Sequence, residues 1–309
     1  MTPLISENHS KVNGLFPSNP EPRGSIQPQQ LTELWFHTGT ICNLSCPFCL
    51  EGSKPGDRRL NAIVLEDIRP VMQEALTLGV KKFSFTGGEP FVIPEIFKIL
   101  DYALKLKPCL VLTNATDPLI MRFQNLVKLK GSPHLLSLRV SLDFPDPAKH
   151  DAGRGAGQFM KSLRVLAQLY QEGFQISIAR QKQHRKEDIQ AANRDYLPYL
   201  RQVGLPENIH FTVFPEFYMP GVMIDVPTIT EDCMARYQTA ESRSRFMCSY
   251  SKMVIKKEGR MRVYACTLVD DDPEYDLGES LSESMKARIL LKHHRCYSCF
   301  AYGTTCSEN

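Results

Sequence analysis

The chain predicts an α/β fold built on a parallel sheet, and three observations carry that expectation. Short β-type runs alternate with helical stretches from Leu31 onward. Six such runs joined by helices require parallel strands with right-handed crossovers. A chain of 309 residues, 42% of them hydrophobic, can bury the core of one large domain and a small appendage.

Taken in order, residues 1–30 are rich in Ser, Asn, Pro and Gln, with Pro17, Pro20, Pro22 and Pro28, and read as a flexible tail. The strand candidates are Leu34–Thr38, Lys82–Phe85, Cys109–Leu112, Leu136–Leu142, Phe174–Ala179 and Ile209–Phe214. Helices are expected near Leu65–Leu78, Pro94–Leu106, Leu119–Leu129, Phe159–Gln171 and Ile189–Val203. Within Phe159–Gln171 the apolar Phe159, Leu163, Leu166 and Tyr170 recur on one helical face. The active site of such a fold lies at the C-terminal ends of its strands.

A loop at the end of the first strand carries Cys42, Cys46 and Cys49 within Cys-Asn-Leu-Ser-Cys-Pro-Phe-Cys. Neither a helix nor a strand gathers that spacing around one point, and Pro47 forbids a regular helix through it. Thiolates collected on a loop bind zinc or an iron–sulfur cluster. A closed zinc site needs four ligands. His37 precedes the loop and the next cysteine is Cys109, so three ligands suit a four-iron cluster with one iron open.

This loop, with Phe48 before its last cysteine, resembles the signature of the radical S-adenosylmethionine (SAM) enzymes. The resemblance implies a partial six-unit (β/α)6 barrel and a 4Fe–4S cluster whose open iron is chelated by SAM. It further implies reductive cleavage of SAM to a 5′-deoxyadenosyl radical that abstracts hydrogen from a substrate. Gly87, Gly88 and Glu89 in Gly-Gly-Glu-Pro are similar to the family's binding motif for the SAM amino group, although a plain turn after a strand has the same composition. Ser141-Leu142-Asp143 followed by His150-Asp151-x-x-Arg154-Gly155 resembles the Ser-x-Asp … Arg-Gly-x-Gly-x-Phe stretch of relatives that carry an extra cluster. There the serine and arginine contact SAM, which assigns Ser141 and Arg154 that role, with Asp143 beside them. The rival readings are a strand-end cap, a solvated charge and a turn former. Asn114 is a further candidate, in a Thr-Asn-Ala where relatives often have Thr-Asn-Gly, and Glu216 ends the sixth strand.

In the last third, Cys248 and Cys266 flank two short β runs around Glu258-Gly259, a hairpin whose open end brings the two thiols together. A helix expected over Leu281–Lys292 leads to Cys296-x-x-Cys299. On ligand count alone these four suit zinc. Beside the first motif the layout resembles the twitch domain, a shortened SPASM domain, and implies a second, auxiliary 4Fe–4S cluster fully ligated by cysteine. Cys306 has too few companions for a third cluster. The expected division is a tail at 1–30, the barrel at 31–230 and the auxiliary domain at 231–309.

A net charge of +3 with 23% charged residues makes no case for a nucleic-acid partner. No signal peptide or long apolar span is present, so neither a membrane segment nor secretion is expected. The ten cysteines fall in metal-type groups rather than a disulfide framework, which suits a reducing cytoplasm. The resemblance implies a reductase partner such as flavodoxin or ferredoxin. The expected reaction is oxidation of a small metabolite, the auxiliary cluster taking the substrate's electron. The alternative is modification of a ribosomal peptide by epimerisation or crosslinking, for which the stretch before the first strand is too short to hold a leader-binding domain. The rival from another class is a scaffold with zinc in both cysteine sets, which would have no use for a SAM-amine motif.

Overall fold

The computed structural model describes residues 21–184, 186–214, 222 and 224–303. Its strands are β1 (Ser25–Ile26), β2 (Glu33–His37), β3 (Lys82–Thr86), β4 (Cys109–Thr113), β5 (Leu136–Ser141), β6 (Gln175–Gln181), β7 (His210–Phe214), β8 (Ser251–Lys257), β9 (Arg260–Tyr264) and β10 (Ile289–Leu290). The main sheet has the order β7-β6-β5-β4-β3-β2-β8-β9. Strands β2 to β7 are parallel and sequential, which is the expected six-unit partial barrel.

Alternation along the strands sorts the interior into two cores. Leu34 and Phe36 of β2 join a core shared with the helices, together with Val111 of β4 and Leu163 and Leu166 of the helix Gln158–Gln171. Trp35 between them faces the opposite way, into a second core with Leu110, Met253 and Ile255. Every residue of β2 is buried, because a core covers each of its faces.

Three expectations need correction. The hairpin β8–β9 does not form a detached domain: β8 pairs in parallel with β2, Glu33 opposite Ser251 and Phe36 opposite Val254, so the main sheet crosses the division expected at 230. Residues 1–20 lie outside the described residues, but the end of the expected flexible tail is ordered. Ser25–Ile26 pairs with Ile289–Leu290, and Gly24 N–H donates to Ile229 O at 2.9 Å. The helix expected over Leu281–Lys292 covers only Leu281–Ser284, because Ile289–Leu290 is drawn into that edge pairing. Two further expected helices are broken, into Asp117–Met121 and Phe123–Val127, and into Ile189–Arg194 and Leu197–Gln202. In each broken pair a proline opens one segment, Pro118 and Pro198, where its missing N–H costs nothing.

Candidate active site

The cysteine loop leaves β2 and folds into tight turns, with Cys49 N–H donating to Cys46 O and Gly52 N–H to Cys49 O. Cys42 is buried, and Cys46 and Cys49 are half-buried on the wall of one cavity at the C-terminal ends of the strands. Burial pushes the Cys42 thiol up to about 12 and raises those of Cys46 and Cys49, so each holds its proton until a metal displaces it.

Phe48 also lines the cavity. Its ring lies against Gly153, where an added Cβ would stand 2.1 Å from Cε1, and it meets Phe144 edge-on at 6.0 Å. Gly87 and Gly88 reach the cavity wall, but their bareness serves the protein first. A Cβ on Gly88 would stand 2.2 Å from Ile41 O, and one on Gly87 2.7 Å from Thr38 Oγ1. Gly88 N–H donates to Gly39 O at 2.9 Å and Glu89 N–H to Ile41 O at 3.1 Å, so the motif is laced to the root of the cysteine loop.

Glu89 is buried and its carboxylate turns into the fold. It accepts from Phe91 N–H (3.1 Å), Thr113 Oγ1–H (2.8 Å) and Asn114 N–H (2.8 Å). Burial drives its carboxyl up to about 7 against the pull of those donors. Asn114 lines the cavity, and its Nδ2 donates to Asn43 Oδ1 at 3.0 Å and stands 3.9 Å from Cys42 Sγ. Ala115, where relatives often carry glycine, adopts a left-handed φ of 53° while fully buried.

Ser141 ends β5 on the cavity wall. Asp143 and Arg154 form a forked pair, Nε to Oδ2 and Nη2 to Oδ1 (3.1 Å). The guanidinium carbon lies 5.8 Å from the Phe48 ring centre. Burial works against the Arg154 charge, and the Asp143 carboxylate outweighs it.

Cys248, Cys266, Cys296 and Cys299 are all buried and line one small second cavity. The nine described cysteines are all free thiols, and Cys306 and Glu216 lie outside the described residues. Burial pushes Cys296 up to about 12 and Cys248 well above the ordinary thiol range. Leu268 lines both cavities, so the two cysteine sites stand on either side of a thin wall.

The sequence reading missed a trio between them. His37, Glu51 and Asp270 bring their ligand atoms within 4.8 Å of one another. His37 Nδ1 accepts the Gly39 N–H at 3.2 Å, which leaves the ring proton on Nε2, facing Glu51 Oε2 at 3.0 Å. A cation on Nε2 would have to move that proton onto Nδ1, against the Gly39 N–H. Glu51, on the cavity wall two residues past Cys49, was legible only once β2 and the hairpin were placed.

Among the described residues, only the His37 trio brings three such ligand atoms this close.

Comparison with known proteins decides the family. Residues 36–179 match the model of the Radical SAM superfamily. The barrel is a radical SAM domain. Such domains use a 4Fe–4S cluster and SAM, and the donor set on the cysteine loop fits that pair. The chain is 33% identical over 140 residues to the antilisterial bacteriocin subtilosin biosynthesis protein AlbA of Bacillus subtilis, covering 45% of this chain and 30% of AlbA. It is 28% identical over 136 residues to the GTP 3′,8-cyclase of Tolumonas auensis, covering 43% of this chain and 39% of that protein. It thus spans well under half the length of these curated relatives. The fold is similar to that of Streptococcus suis SuiB bound to S-adenosylmethionine, with a TM-score of 0.58, 14% identity, and 81% of this chain and 63% of SuiB covered. Among the described residues no helix is long and apolar enough to cross a membrane.

Proposed function

We propose that this radical SAM enzyme holds a SAM-binding 4Fe–4S cluster on Cys42, Cys46 and Cys49 and an auxiliary 4Fe–4S cluster on Cys248, Cys266, Cys296 and Cys299. The observation that carries this reading is the single cavity lined by the first cysteine set and backed, through Leu268, by the second. When bound, the first cluster with SAM supplies one-electron cleavage of SAM and hydrogen abstraction, and the second supplies an electron acceptor.

The chain's own residues prepare that site. Gly87, Gly88 and Ser141 give SAM a bare wall and a hydroxyl. Glu89 fixes Thr113 and Asn114, and through Asn114 the position of Cys42. Arg154, steadied by Asp143, sets the Phe48 ring against the cavity. Glu51, whose carboxylate is oriented by the His37 Nε2–H it accepts from, stands on the cavity wall where a substrate proton could go. Trp35, Leu112 and Leu268 form an apolar wall that limits water.

Between a metabolite and a peptide, the observations favour a peptide as substrate. The cavity-lining arginines are both engaged within the protein, Arg154 by Asp143 and Arg180 by Glu187 (2.6 Å) and Asn193 (2.7 Å). A nucleoside triphosphate therefore meets no unspent arginine among the described residues lining the cavity. SuiB has also been solved bound to its precursor peptide SuiA. Buried free thiols suit a reducing compartment, and a flavodoxin- or ferredoxin-type reductase suits the chemistry. The test is anaerobic turnover with candidate peptides and metabolites carrying deuterium. Label recovered in 5′-deoxyadenosine identifies the substrate and the hydrogen removed. Zinc without sulfide in the purified protein would sink the reading.

A further inference from the structure

Arg295 immediately precedes Cys296 and is buried, with 4% of its surface exposed. Its Nη1–H donates to Leu268 O at 3.1 Å and its Nη2–H to Leu50 O at 3.4 Å. Leu50 follows Cys49 directly. Leu268 N–H in turn lies 3.5 Å from Cys266 Sγ. One guanidinium thus touches all three cysteine-bearing segments: the loop after β2, the end of the hairpin and the last helix.

The other charges at this place are few. Asp271 Oδ1 stands 3.6 Å from Arg295 Nη1 and 3.7 Å from His293 Nε2. Lys252, fully buried, gives its ammonium to Cys248 O (2.9 Å) and Ser251 O (3.1 Å), so it sits at the Cys248–Cys266 side of the tail site and makes neither of the carbonyl contacts of Arg295. The Tyr275 hydroxyl lies 3.8 Å from Cys296 Sγ. Arg295 thus bridges the two sites through two carbonyls, with the buried carboxyl of Asp270, grouped with His37 and Glu51, also near it. A guanidinium suits this place because its planar fork can serve two carbonyls while staying charged at every relevant pH.

We propose that Arg295 is a positioning residue that ties the tail cysteine site to the first cysteine loop and sets the reduction potential of the tail's iron. This rests on the reading that the four tail cysteines hold an iron–sulfur cluster. Reduction adds negative charge to a buried cluster, and a fixed cation beside it stabilises the reduced form.

The experiment is a potentiometric titration of the anaerobically reconstituted full chain, followed by electron paramagnetic resonance. The step that survives in Cys42→Ala/Cys46→Ala/Cys49→Ala is assigned to the tail. In Arg295→Gln that step is expected at a more negative potential. In Arg295→Lys, which keeps the charge and loses the fork, it is expected to coincide with the parent. Amide exchange across 49–52 and 266–272 should rise in both variants. A merely structural residue would change the exchange and leave the potential in place. The proposal is overturned if Arg295→Gln titrates with the parent, or if Arg295→Lys shifts as far as Arg295→Gln. Should Arg295→Gln fail to take up tail iron, Arg295→Lys decides alone, and either a shifted potential or unchanged exchange overturns the proposal. A parent without tail iron overturns both this and the auxiliary-cluster reading, whereas a parent with it and an unmoved variant overturns only the role of Arg295.

Discussion

Asn114 couples Glu89 to Cys42: its backbone N–H donates to Glu89 Oε2 at 2.8 Å, while its side-chain nitrogen stands 3.9 Å from Cys42 Sγ. The conspicuous acidic residue of the Gly-Gly-Glu-Pro segment thus acts on the first cysteine site through a neighbour. Glu89→Gln keeps the shape but places an amide NH2 where an oxygen now accepts. SAM affinity should fall by roughly tenfold, about the value of one charge-assisted hydrogen bond, with the iron content unchanged. Anaerobic titration with SAM reads this directly, and an unchanged affinity would reduce the segment to a turn.

The same carboxyl predicts a pH effect. Its pKa rises from an ordinary value near 4.5 to about 7 on folding, chiefly through burial. Between those values the folded protein binds a proton that the unfolded chain has released, so this group's contribution to stability declines as pH rises. Denaturant unfolding at pH 5 and at pH 7.5 should show a shallower decline in Glu89→Gln than in the parent, by roughly 1–3 kcal/mol. Parallel curves would show that Glu89 is already ionised in the fold.

Gly88→Ala should be among the most damaging single changes. The new methyl would meet backbone at 2.2 Å, Ile41 O, which no side-chain rotation can relieve. A loss of about 2–4 kcal/mol and failure of the first cysteine loop to hold iron are the expected outcomes. The melting temperature and iron content report them. Full iron with parental stability would show that the loop root yields.

Iron loading should follow pH and cysteine count. Burial raises the thiols of both sets, so iron must displace protons to bind. Reconstitution is expected to be faster at pH 8.5 than at pH 7, reaching about eight irons per chain, and about four once Cys42, Cys46 and Cys49 are replaced by Ala. A pH-independent rate would place the limiting step elsewhere than thiol deprotonation.

Replacing Cys248, Cys266, Cys296 and Cys299 should leave dithionite-driven SAM cleavage in place and abolish substrate oxidation. Circular dichroism controls for collapse of the tail. Turnover at the parental rate would make the tail a structural element and end the auxiliary electron-acceptor reading.

The parts of this molecule written in contiguous residues were legible in its sequence. The cysteine loop, Gly-Gly-Glu-Pro and the hairpin turn at Glu258-Gly259 each announce themselves over a few positions, and Glu258 and Gly259 do take the positive φ that such a turn needs. What stayed hidden depends on pairings between distant segments. Nothing near Met253 says that β8 will lie beside β2, and nothing near Ile289 says that it will meet Ser25 rather than continue a helix. The roles of Gly87 and Gly88 were half legible: close approach was evident, but the approaching group is the backbone of Thr38–Ile41 as well as any ligand. His37 entered the sequence reading only as an absent zinc ligand. Its partners Glu51 and Asp270 sit 14 and 233 residues away, a separation that no local pattern bridges.

The parallel pairing of β8 with β2 also fixes an order of events during synthesis. Strand β2 and its cysteine loop leave the ribosome early, yet one edge of β2 waits unpaired until residues beyond 250 have emerged. The barrel is thus held open along β2 until the hairpin has been made. The wall that Leu268 gives to both cavities does not exist until then, so any group that needs both cavities complete has to enter after the hairpin is made.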